Sequence, residues 1–145
     1  MNIMQHKDFF TIANYIKDNS PENCKEAADR TAVSRIYYAA FLYAREALKI
    51  WGCCIDKSSK THSQVAEGLK YSTLRPLVKV GEYLERLHDA RKKADYDIHT
   101  YFQPDFEKLE KMYENIISLE NKWDYVNDKK KKEALGKINK RISEI

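Results

Sequence analysis

Val33, Ile36, Tyr37, Ala40, Phe41, Ala44, Ala47, Leu48 and Trp51 recur at intervals of three and four residues. Side chains so spaced share one face of an α-helix, and five turns of them need other helices to cover that face. The alanines within the stripe let a neighbouring helix come close. This predicted helix spans 21–51. Ser20 serves as its N-cap, Pro21 takes the first helical position, and Gly52 closes it. No stretch alternates Val, Ile and Thr with polar residues as a half-buried strand does. Only three prolines and four glycines punctuate the 145 residues, and nearly all stand where helices should start or stop.

Four further segments carry the same periodicity. A first helix over 2–18 turns Ile3, Phe9 or Phe10, Ile12, Ala13 and Ile16 inward. A loop from Cys53 to Lys60 leads to a short helix at 62–71, capped by Thr61. Ser72 or Thr73 opens another helix, where Pro76 is tolerated in the first turn because its missing N–H costs little there. Its stripe is Leu74, Leu77, Val78, Leu84 and Leu87, running on to Ala94 and Tyr96. After a break at 100–103, Pro104 opens a helix through Phe106, Leu109, Met112, Tyr113, Ile116, Leu119 or Glu120, and Trp123. The expected fold class is all-α, an up-and-down bundle of four main helices plus one short helix. Residues 1–127 make the bundle. Residues 128–145 make a Lys-rich C-terminal helical extension or tail, either a separate short helix or a frayed extension, in which Leu135, Ile138 and Ile142 keep helical spacing.

Composition excludes several classes of function. An apolar share of 43% suffices for a core and is too high for disorder. No run approaches the ~18 apolar residues of a membrane span. Residues 1–6 carry no secretory apolar segment. With no export signal, the odd count of three cysteines (Cys24, Cys53 and Cys54) points to the reducing cytoplasm. The vicinal pair Cys53–Cys54 lacks zinc-ligand spacing. No phosphate-loop, dinucleotide or zinc-protease motif occurs, so no cofactor is expected, and Ser34 lacks the glycines of a nucleophile elbow. The net charge of +4 resides wholly in 128–145, where seven basic residues face three acidic ones. Lys129 and Lys130 are therefore candidates for phosphate contacts by counterion release, although a Lys-rich helix end is more often simply solvated.

The segment of densest chemistry is His88-Asp89-Ala90-Arg91-Lys92-Lys93-Ala94-Asp95-Tyr96-Asp97-Ile98-His99. On a continuing helix, His88, Arg91, Asp95 and His99 stack on one face. Two imidazoles, a guanidinium and a carboxylate so placed could bind a phosphodiester and move protons. The plainer reading is a charged surface stripe held by an Arg91–Asp95 pair, worth only about 0.3–0.5 kcal/mol. Arg91 would repel a metal ion placed among these groups. His62, at a predicted helix start, reads as a capping or surface residue.

Taken together, Ser34-Arg35-Ile36-Tyr37-Tyr38-Ala39-Ala40-Phe41, the later block Ala44-Arg45-Glu46-Ala47-Leu48, Leu77-Val78-Lys79-Val80-Gly81 and Arg91-Lys92-Lys93-Ala94-Asp95-Tyr96-Asp97 carry a family likeness, with His62-Ser63 between them. Over about residues 22–126 the chain resembles the HEPN superfamily (higher eukaryotes and prokaryotes nucleotide-binding domains), in particular its small single-domain prokaryotic branch. The resemblance implies a bundle of four or five helices that often dimerises. Many such proteins are metal-independent endoribonucleases of toxin–antitoxin, CRISPR and phage-defence systems, and others pair with a minimal nucleotidyltransferase. Their ribonuclease motif is an arginine, four to six residues, then a histidine. Arg91 matches the arginine, whereas the positions where the histidine belongs hold Tyr96, Asp97 and Ile98, and His99 follows one step later.

Under this resemblance Arg91 would stabilise the phosphorane, His99 or His88 would take the proton of the RNA 2′-hydroxyl, and Asp95 would orient Arg91. At a two-fold interface Asp95 and Tyr96 would balance the charge of Arg91 and its symmetry mate. Lys92, Lys93, Lys129 and Lys130 would contact RNA. The expected partners are a second copy of the chain, RNA, and an antitoxin or minimal nucleotidyltransferase. The alternative is a non-catalytic module that docks such a partner through the same polar face.

Overall fold

The computed structural model describes residues 5–145, and every regular element among them is helical. In chain order these are α1 (His6–Asp18), α2 (Lys25–Ile50), α3 (Thr61–Lys70), α4 (Arg75–Tyr96), α5 (Phe106–Ile116), α6 (Leu119–Asp124) and α7 (Asp128–Glu144). A single 3-10 turn, Glu22–Cys24, precedes α2. The all-α expectation holds, with one more long helix than the sequence pattern indicates. No helix among the described residues is long and apolar enough to cross a membrane.

The α2 stripe is buried as its spacing requires, with Val33, Ile36, Tyr37, Ala40, Ala44 and Leu48 all but inaccessible. This helix is the axle of the bundle, touching α1, α3, α4, α5 and α6. At its end Trp51 stacks on Trp123 of α6, ring centroids 4.1 Å apart. Gly52 then takes a positive φ of 94°, a conformation that glycine adopts without strain.

Several boundaries differ from the sequence reading. Pro21 caps the 3-10 turn, so α2 begins only at Lys25. Ile3 lies outside the described residues, and Ile12 points outward, 46% exposed. Thr61 opens α3 but does not cap it; its hydroxyl donates back to the carbonyls of Asp56 and Ser58, which folds the preceding loop. α4 starts at Arg75 rather than Ser72 or Thr73. The expected last helix is two: α5 is capped by the Asp105 carboxylate, which accepts from the Lys108 N–H, and it breaks at 117–118 before α6.

Residues 128–145 are no loose tail. Asn127 caps α7 by accepting the Lys130 N–H at 2.9 Å. Ala134, Ile138 and Ile142 are buried, and α7 packs along α3. Arg141 joins Glu67 of α3 through both Nε and Nη2. The short helix α3 is thereby held between α4 on one side and α7 on the other.

Candidate active site

α4 stops at Tyr96 because another side chain takes over its last carbonyls. From α2, Arg30 donates through Nη1 to the carbonyls of Lys93 and Ala94, at 2.9 and 3.0 Å. Its Nη2 reaches the carbonyls of Asp97 and Thr100 at 2.9 and 2.7 Å. Carbonyls left unpaired at a helix end need such donors, and here one guanidinium supplies them. His99 therefore sits in an exposed turn beyond the helix. It does not stack above Asp95, and the four-residue face expected from spacing ends at Asp95.

One turn inside that end, Arg91 is held on several sides. Its Nε lies 2.8 Å from Asp95 Oδ2, a charge contact without an aligned N–H bond. Nη2 donates to the Tyr38 hydroxyl at 3.1 Å and reaches the Tyr96 hydroxyl at 3.5 Å. The guanidinium faces both tyrosine rings, 5.4 and 5.3 Å from their centroids. Asp95 in turn accepts from the buried Ser34 hydroxyl at 3.3 Å. Ser34 thus positions a carboxylate, which explains a buried serine that has no nucleophile elbow. Tyr96 does not join the core stripe; it is 70% exposed.

His88, one turn before Arg91, faces His62 from α3. The two imidazoles are nearly parallel, 7° apart in plane with centroids 5.1 Å apart. Tyr37 stacks on His88 at 4.9 Å and Phe41 on His62 at 4.3 Å. The Tyr37 hydroxyl and His62 Nδ1 share a hydrogen bond. A cleft of about 340 Å³ opens over this group, bordered by Ser63, Glu67, Glu85, Asp89 and Lys92.

The electrostatics favour neutral rings. Burial, then the charges of Arg91 and Arg45, lowers His62 below the ordinary imidazole value. Burial, followed by His62, Lys92 and Arg91, holds His88 down at about 4. The Tyr37 hydroxyl is raised, chiefly by burial. At neutral pH both histidines are thus free bases able to accept a proton. Stacked side by side, the two rings oppose each other's charge and resist holding two protons at once.

Of the residues singled out by sequence, the fold brings together His88, Arg91, Asp95 and Tyr96. Lys92 borders the cleft. Lys93 points to solvent, and Lys129 and Lys130 sit exposed in the first turn of α7. Among the described residues no group of three or more histidine, cysteine or acidic side chains is arranged to hold a metal. The residue that sequence reasoning passes over is His62. Its partner lies on another helix, and only its place beside Ser63 between the two most distinctive blocks singles it out. Comparison with family models, with curated proteins and with solved structures finds no match for this chain.

Proposed function

We propose that the protein is a HEPN-like, metal-independent endoribonuclease. The observation that carries this reading is the pair of neutral, stacked imidazoles of His62 and His88 beside Arg91 in an open cleft. His62 supplies what the chain lacks at the usual motif spacing. One of the pair takes the proton of the RNA 2′-hydroxyl, and the 2′-oxygen attacks the adjacent phosphorus. The bond from phosphorus to the 5′-oxygen breaks, and the leaving oxygen receives the proton back from the imidazole pair. The products are a 2′,3′-cyclic phosphate and a 5′-hydroxyl. Arg91 Nη1, which has no partner among the described residues, stabilises the charge growing on the phosphorane. Asp95 and Tyr38 fix its direction.

A second copy completes the site in this reading. Tyr96, Ile98 and Tyr101 are exposed apolar side chains at and just beyond the end of α4, and an isologous two-fold contact would cover them. The experiment is incubation of the purified protein with labelled RNA in EDTA. Cleavage to cyclic-phosphate ends that survives EDTA and disappears in Arg91→Ala, His88→Ala and His62→Ala supports the enzyme. Light scattering showing a strict monomer at micromolar concentration removes the two-fold site.

A second reading rests on how fully Arg91 is engaged by Asp95, Tyr38 and Tyr96. Such a network also suits a rigid, non-catalytic face that docks a partner such as an antitoxin or minimal nucleotidyltransferase. A folded protein that cleaves no RNA favours it.

A further inference from the structure

On the side of α4 that faces away from His88 lies a second cleft of about 300 Å³, lined by Arg75, Val78, Lys79, Glu82, Tyr83 and Arg86. Lys79 and Arg86 both lie against the Tyr83 ring, 5.6 and 5.5 Å from its centroid. Arg30, Arg91 and Arg141 each close on a carboxylate, whereas Arg75, Lys79 and Arg86 have no ion-pair partner among the described residues. Lys122 of α6 does not line the cleft but lies near enough to feel the charge of Lys79. It is anchored to Asn115 Oδ1 at 3.0 Å and titrates low through burial and then the repulsion of Lys79. The one acid in the lining is Glu82, whose charge is also felt by Lys70. Three cations against the single carboxylate of Glu82 leave an excess of positive charge that an anion would relieve.

We infer that this cleft binds the phosphodiester backbone of single-stranded RNA, as an anchoring surface separate from the His62–His88 site. The choice of RNA over other phosphate bearers rests on the ribonuclease reading. The cleft is suited to backbone rather than base recognition. Its one aromatic ring is already engaged by two cations, and its lining side chains offer no amide to read a base edge. Contacts of this kind are sequence-independent and salt-sensitive.

The test is binding of a labelled oligouridylate across a salt series, by the full chain and by Lys79→Gln/Arg86→Gln. The double substitution should weaken binding and flatten the plot of log affinity against log salt by about 0.7 per lost contact, near 1.4 in all. Glu82→Gln, which removes the one opposing charge, should tighten binding. An unchanged slope in the double variant overturns the cleft and leaves cleavage at His62–His88 unaffected. Absence of salt-dependent binding by the unaltered protein overturns it too. If the slope falls as expected while the unaltered protein cleaves nothing, the cleft stands and the ribonuclease reading falls.

Discussion

At Gly81, α4 lies close against the backbone of α3. A Cβ built there would stand 2.6 Å from the Ala66 carbonyl oxygen and 3.1 Å from the Lys70 backbone nitrogen. Real Cβ atoms do not approach backbone so closely, and a carbonyl cannot rotate aside as a side chain can. Gly81→Ala should therefore push the two helices apart. Alanine is intrinsically better than glycine inside a helix by about 1 kcal/mol, and overpacking of this kind costs about 1–3 kcal/mol. With backbone as the obstacle the cost sits high in that range, leaving a net loss of about 1–2 kcal/mol. Gly136, in α7, meets nothing within 4 Å, so Gly136→Ala should gain up to about 1 kcal/mol. Thermal unfolding reads both, at roughly 2–4 °C per kcal/mol for a domain of about this size. The two substitutions should move the midpoint in opposite directions. His62 and His88 also stack across this helix pair, so the RNA cleavage proposed above should drop in Gly81→Ala at temperatures where the protein remains folded. A midpoint that rises in Gly81→Ala as it does in Gly136→Ala would refute the close-approach argument.

Stability should also depend on acid. His88 titrates near 4 when folded and near its ordinary 6.5 when unfolded. Between those values the unfolded chain binds a proton that the native state refuses. Denaturant midpoints should hold level above pH 6.5 and fall as pH drops from about 6.5 to about 4, with His62 acting in the same direction. His88→Gln should show a shallower fall over that window, and parallel curves would contradict the assignment. Arg30→Ala should cost about 2–3 kcal/mol through loss of charge-assisted bonds to four carbonyls, and hydrogen exchange should quicken over 94–100. Arg30→Lys should rescue little, because an ammonium lacks the guanidinium's fork. Phe41→Ala should cost about 3–5 kcal/mol by lost burial and cavity formation, which a urea titration would register as a much lower midpoint.

Much of the fold was legible because one-sided burial writes itself at helical spacing. The inner faces of α2, of α4 through Leu77, Leu84 and Leu87, and of α5 with α6 were all readable. The break at 117–118 was hidden, since Ile116 and Leu119 are both buried at the interval that an unbroken helix would show. Ile12 and Tyr96 misled because periodicity says how often a face recurs, not how wide the covered stripe is. The site was half legible. His88, Arg91 and Asp95 are neighbours on one helix, and local spacing finds such sets. His62 comes to His88 from α3, and no local pattern encodes a contact between helices. His99 failed for the same reason in reverse. The end of α4 is decided by Arg30, more than sixty residues upstream.

The position of α3 between α4 and α7 carries a consequence for the order of events during synthesis. His62 and His88 leave the ribosome before Ala134, Ile138 and Ile142 do, yet these three form one of the two walls that hold α3 in place. A nascent chain that has reached only α6 has Gly68 and Leu69 on a helix leaning on α4 and α2 alone. The imidazole pair is then unsupported on its outer side. Until the lysine-rich segment has been translated and docked, α3 lacks the wall that α7 provides.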